Sequence, residues 1–127
     1  MDDPSPPPPV VLLDRRIDPD ELSRLLAAFF EDMVKYVVDV ERRIIAAGGE
    51  MHADAEQVLL DAGSEQAHLW GANYYPGRGR EECIEYTSLI NIRPAAGNRA
   101  MEIQDPGLRR IVQEVTFALL GEGEPLG

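Results

Sequence analysis

The chain has 127 residues, and its 23 Asp and Glu against 12 Lys and Arg give a formal charge of −11. That balance excludes a nucleic-acid-binding surface, because phosphate contacts need clustered Lys and Arg, and it argues against adsorption to an anionic membrane leaflet. With 44% hydrophobic and 28% charged residues there is apolar material for one core, while the apolar runs are far too short to span a bilayer.

Five of the first nine residues are proline (Pro4, Pro6, Pro7, Pro8, Pro9), which removes backbone donors and favours an extended arm over 1–9. A solvated tail is the leading expectation there. A ligand for a partner's aromatic groove is disfavoured because no Lys or Arg flanks the run closely. No signal-peptide apolar region follows Met1, and the single cysteine, Cys83, has no internal disulfide partner, so a reducing cytoplasm is expected. Residues 10–121 read as a single domain without repeats, and 122–127, rich in Gly and Glu with one Pro, as a frayed C-terminal tail.

Val10 to Leu13 is a short apolar run and reads as a buried strand. Asp18-Pro19-Asp20-Glu21 then starts a helix, with Asp18 capping, Pro19 at the first helical position and Glu21 placed to reach back. Leu22, Leu25, Leu26, Phe29, Phe30 and Met33 continue it as one apolar stripe. Tyr36–Glu41 and Ile44–Ala47 flank Arg42-Arg43 as a hairpin, although Arg-Arg is not a preferred turn pair. Residues 51–56 alternate small apolar with polar, as a half-exposed strand would; a short helix beginning near His52 is the rival reading. Val58–Leu60 and His68–Tyr75 bracket Gly63-Ser64 as a second hairpin, and Cys83–Ile92 is a β-rich run that stops before Pro94. Asp105-Pro106 opens a last helix, whose stripe runs from Leu108 through Leu119 to a stop at Gly121. The expected fold is α+β, a mainly antiparallel sheet of about five strands packed by two amphipathic helices.

Three constellations could carry chemistry. On a strand, His52, Asp54 and Glu56 would share one face about 7 Å apart, and Asp39 and Glu41 would share a face of their own strand. Were those faces to coincide, an imidazole and up to four carboxylates would converge, an inventory for a divalent metal or a general acid/base pair. A solvated sheet face is the simpler expectation. The second is Trp70-Gly71-Ala72-Asn73, either a core tryptophan relieved by its glycine or a pocket floor in which Asn73 fixes a ligand's polar edge. The third is the segment Asn91 to Arg99. There Arg93 and Arg99, with the amides of Asn91 and Asn98, would clamp a carboxylate or phosphate or else pair with the acidic first half. No phosphate-binding glycine loop and no G-x-S-x-G occurs, and the acidic neighbours of Cys83 argue against a reactive thiol.

Gly48–Glu56, Leu69–Pro76 and Ile90–Asn98, read together, resemble a small domain-of-unknown-function family of bacteria and archaea. The resemblance runs from about Val11 to Leu120, with the Pro-rich arm outside it, and it implies a single domain while leaving the activity open. The leading functional expectation is a non-enzymatic acidic binding or assembly module, homo-oligomeric through its charge segregation. Residues 18–65 carry twelve acidic and four basic side chains, whereas residues 66–127 carry six arginines. The alternative is a small metal-dependent enzyme, hydrolytic in kind, using His52, Asp54 and Glu56 with Asp39 or Glu41, with Arg93 and Asn98 holding an anionic substrate group. A small-molecule ligand over Trp70 and Asn73 is the third reading.

Overall fold

Eight elements build the fold, and the computed structural model describes them over residues 10–126. Strand β1 (Val11–Leu13) is followed by α1 (Pro19–Phe29), β2 (Val34–Asp39), β3 (Ile44–Ala47), α2 (His52–Asp61), β4 (Leu69–Tyr74), β5 (Ile84–Glu85) and α3 (Pro106–Leu119). All neighbours in the five-stranded sheet are antiparallel, in the order β1-β3-β2-β4-β5. The α+β expectation holds, with one more helix than the sequence suggested.

The two expected helices form as their caps dictate. The Asp18 carboxylate accepts from the Asp20 backbone N–H and the Asp105 carboxylate from that of Gly107, both at 2.8 Å, with proline at the first position each time. Helix α1 ends at Phe29, short of Met33, where Glu31 takes a left-handed φ of 66°. Leu22, Leu25 and Leu26 of α1 and Val112, Val115 and Leu119 of α3 cover one face of the sheet. They pack there against Tyr36, Val38, Ile45, Ala47, Trp70, Ala72 and Tyr74.

The β2–β3 hairpin also forms. Its Arg42-Arg43 turn is held from beneath by the buried Asp39, whose carboxylate accepts from the Glu41 and Arg42 N–H groups at 2.9 Å and from the Ser64 hydroxyl at 2.6 Å. Asp39 is therefore a turn anchor. Glu41 lies exposed in the turn beyond β2 and shares no strand face with it.

Residues 51–56 are not a strand. Gly48 and Gly49, at φ of 115° and 88°, end β3, and α2 begins at His52 with the Asp54 carboxylate accepting from the Met51 N–H at 3.2 Å. His52, Ala55 and Leu59 then bury one helical face on Val37, Ala46 and Leu69, the sheet's second face. Small residues gave this helix a local alternation that only its full length resolves. Val58–Leu60 belongs to α2, so the hairpin expected around Gly63-Ser64 does not exist; the helix closes with the Ser64 N–H donating to the Leu59 carbonyl.

The topology explains why α2 takes the face opposite α1. Strands β1 and β2 run parallel with β3 between them, and β3 and β4 run parallel with β2 between them. Both crossovers step the same way along the sheet, yet the two pairs point in opposite directions. Crossovers of a single hand must then lie on opposite faces.

Cys83–Ile92 is only briefly a strand. After Ile84–Glu85 the chain makes an isolated bridge from Thr87 to Glu102 and turns through a 3-10 segment, Leu89–Asn91. Residues 122–126, expected to fray, are held in place. Gly77 and Gly79 N–H donate to the Gly123 carbonyl at 3.0 Å, and Gly123 N–H donates to the Tyr74 hydroxyl at 2.9 Å. The Pro-rich arm over 1–9 lies outside the described residues.

Candidate functional site

Gly71 is where the functional geography begins. It lies in β4 on the α2 face, and a Cβ there would stand 2.7 Å from the Ser88 Cβ and 3.2 Å from the His52 ring. The missing side chain lets an imidazole from α2 and a hydroxyl-bearing segment from the other side close over the same point of the strand. Asn91 completes this arrangement. Its Oδ1 accepts from the Gly71 N–H at 2.8 Å while its Nδ2 donates to the Gly71 carbonyl at 2.9 Å and to the Met101 carbonyl at 3.0 Å. One side-chain amide thus supplies β4 with the partner that the two-residue β5 is too short to give.

Beside this knot opens a hollow of about 290 Å³. Lys35, His52 and Asn73 line it, and Met51, Leu89 and Met101 stand at its margin, 58%, 68% and 41% exposed. Lys35 and Asn73 meet there because they are paired in the β2–β4 register. The Lys35 ammonium also lies over the Phe30 ring at 5.1 Å.

The polar groups of the hollow are oriented. His52 Nε2 lies 2.9 Å from the Ala72 carbonyl, which can only accept, so Nε2 carries the proton and Nδ1 is left as an acceptor in the neutral ring. Burial lowers the His52 pKa, and the Lys35 charge adds to this, against the raising effect of Ala72, Asn73 and Glu85. The imidazole is therefore neutral at pH 7. Asn73 Nδ2 donates to Glu85 Oε1 at 2.7 Å, an oxygen that also accepts from the Tyr75 hydroxyl at 3.2 Å. Asn73 Oδ1, by contrast, is buried and has no hydrogen-bond partner among the described residues.

The remaining expected site residues disperse. Successive α-helical positions turn by about 100°, so His52 and Asp54 face different ways. Asp54 caps its own helix, and Glu56 faces Arg93 at 3.7 Å and Gln66 at 3.5 Å. With Asp39 under its turn, the proposed cluster has no common centre. Among the described residues, no three His, Cys, Asp or Glu side chains gather as a metal site would require.

The amides of the Asn91–Arg99 clamp are corrected as well. Asn91 is committed to Gly71, and Asn98 Nδ2 donates to the Asn91, Ala100 and Glu102 carbonyls while its Oδ1 accepts from the Gln104 N–H. Both amides hold the loop together and have nothing left for a ligand. Arg93 stacks over Trp70 at 4.8 Å, and Arg99 is exposed. Trp70 packs on the α1/α3 face, whereas Asn73 opens on the α2 face, so the two do not share a pocket floor. Cys83 is buried and its thiol pKa is pushed up by burial, with Glu124 and Glu122 adding to it.

Lys35, Ser88, Leu89 and Met101 carried no sequence signal of their own. They converge only through strand register and the bridge that draws the segment near Thr87 toward Glu102. Gly71, read as relieving Trp70, was the usable clue, although the side chains that its missing Cβ admits are those of Ser88 and His52.

An antiparallel α+β domain, covered on both faces and with a lined hollow beside one end of the α2-covered face, is the class this structure defines. Residues 11–119 match the model of the family described as Protein of unknown function (DUF5674), and the chain belongs to that family. No curated protein and no solved structure matches it. No helix among the described residues is long and apolar enough to cross a membrane.

Proposed function

We propose that the domain is a non-enzymatic binding module whose ligand is a small molecule seated in the hollow beside His52 and Asn73. The observation that carries this reading is the buried Oδ1 of Asn73, without a hydrogen-bond partner among the described residues, on a side chain that lines the hollow. An acceptor left unsatisfied costs about 1–3 kcal/mol, and a ligand N–H or O–H would recover that energy. The matching ligand presents a donor to Asn73 Oδ1 or His52 Nδ1 and an apolar body to Met51, Leu89 and Met101. A volume of about 290 Å³ suits a molecule at the small end of the range for ligand sites.

An enzymatic role has less support. Among the described residues no carboxylate or nucleophile is hydrogen-bonded to the neutral His52, so no acid/base pair is assembled among them. Homo-oligomerisation through charge segregation also loses ground, because Arg80, Arg93 and Arg109 already pair with Glu122, Glu56 and Glu102 within the chain.

The test is a fragment screen by ligand-observed NMR on the wild-type protein and on Asn73→Leu, with thermal unfolding to verify that the variant is folded. Fragments bearing a donor and an apolar group should bind wild type and weaken at least tenfold in the variant. Fragments that bind both proteins equally, or a screen without hits, would overturn the reading.

A further inference from the structure

A second recess, of about 690 Å³, opens where α2 meets the loop after Asn91, and Glu56, Gln66, Ile92, Arg93, Pro94 and Ala95 are among its walls. None of these six lines the hollow at His52. Arg93 is its unusual member. The side chain is only 16% exposed, and its guanidinium lies 4.8 Å over the Trp70 ring. Both terminal nitrogens, Nη1 and Nη2, are buried without a hydrogen-bond partner among the described residues. A guanidinium keeps its charge at any physiological pH, so leaving its donors unsatisfied costs more than orphaning a neutral group. The Glu56 carboxylate stands 3.7 Å from Nη2, beyond hydrogen-bond length, and is itself only 14% exposed. Burial lowers the Arg93 pKa by more than the Glu56 charge raises it. The pair is therefore withdrawn from water without the bonds that would compensate it.

These two charges select a ligand. No hydrogen bond among the described residues fixes the terminal nitrogens of Arg93, so the fork is able to turn toward the recess. A carboxylate matches that planar fork through two parallel bonds. A bare anion would also stand against the charge of Glu56. An anion that carries an ammonium beside its carboxylate turns this repulsion into a second ion pair. In an α-amino acid a single carbon separates the two groups, so both come within reach of charges 3.7 Å apart. Gln66 Nε2, 3.5 Å from Glu56 Oε2, adds a polar group to that wall. Ile92, 43% exposed, and Pro94 supply an apolar wall for a side chain.

We propose that this recess binds a free α-amino acid with an apolar side chain, its carboxylate on Arg93, its ammonium on Glu56 and its side chain against Ile92 and Pro94. The site is separate from the one at Asn73 and stands or falls apart from it. The chain holds one tryptophan, so the indole N–H signal of Trp70 in the ¹⁵N-labelled full chain reports on Arg93 without ambiguity. The probes are leucine, 4-methylpentanoate, which lacks the ammonium, and 3-methylbutylamine, which lacks the carboxylate. Leucine should shift the Trp70 signal to saturation, and the other two should bind at least tenfold more weakly. This comparison needs no variant. Arg93→Gln, verified as folded by thermal unfolding, should weaken leucine at least tenfold. Glu56→Gln, which keeps the guanidinium, should take 4-methylpentanoate at least as well as leucine. A Trp70 signal unmoved by leucine would overturn the proposal. So would equal leucine binding in Arg93→Gln, or 4-methylpentanoate binding the wild type as tightly as leucine does.

Discussion

Replacing Gly71 by alanine tests the geometry of the site most sharply. In an ordinary strand, alanine is favoured over glycine by about 0.5–1 kcal/mol, so the substitution should stabilise if nothing stood in the way. Here the new methyl carbon would lie 2.7 Å from the Ser88 Cβ, 2.8 Å from its Oγ and 3.2 Å from the His52 ring. The strand cannot retreat, because Asn91 holds both the N–H and the carbonyl of Gly71. Overpacking of this kind costs about 1–3 kcal/mol, which leaves a net loss of about 0–2.5 kcal/mol after the strand preference is subtracted, toward the upper end here because two contacts fall below 3 Å. Urea unfolding should show a lower midpoint at unchanged slope. Ser88→Gly removes the clashing carbon, and a double-mutant cycle should return at least about 1 kcal/mol of favourable coupling. A Gly71→Ala protein as stable as wild type, or additive single effects, would refute the packing argument.

Asn91→Ala leaves the Gly71 backbone and the Met101 carbonyl without partners and should cost about 3 kcal/mol or more by urea unfolding, whereas Arg99→Ala should stay within about 0.5 kcal/mol. Equal effects at the two positions would contradict the division between them. His52, with its folded pKa below 6.5, binds fewer protons folded than unfolded, so stability falls as pH drops from 6.5 toward the folded pKa and is fully present above 6.5. Stability measured against pH should show this slope in wild type and lose it in His52→Gln; an unchanged slope would assign the effect to other groups. Tyr36→Phe removes a buried hydroxyl that donates to Thr116 Oγ1 at 2.7 Å and should cost about 1 kcal/mol. The rest of that chain should survive, since Thr116 still donates to the Val112 carbonyl.

Elements written by local chemistry were legible in the sequence. Asp-Pro caps and long apolar stripes placed α1 and α3, and paired β-branched runs placed the β2–β3 hairpin. Helix α2 was obscured because its buried face is His52, Ala55 and Leu59, too small and mixed to announce a helix over five residues. The family resemblance was legible through motifs whose conspicuous polar residues are largely architectural. Asn91 ties a loop to β4, Asn98 ties that loop to itself, and Asp54 holds a helix start. A polar residue committed to backbone reads the same in one dimension as one free for a ligand. The hollow was hidden for a different reason. Lys35, His52, Asn73 and Leu89 come from separate segments, and only the register of β2 against β4 brings two of them together.

The central claim is that the orphaned oxygen of Asn73 marks a ligand site. Mapping a bound fragment by the methyl shifts of Met51 and Met101, in wild type and in Asn73→Leu, tests it most directly. Both methyls should move together on binding in wild type and stay in place in the variant at the same fragment concentration. Shifts confined to a distant surface, or identical in the two proteins, would contradict the assignment of this hollow as the binding site.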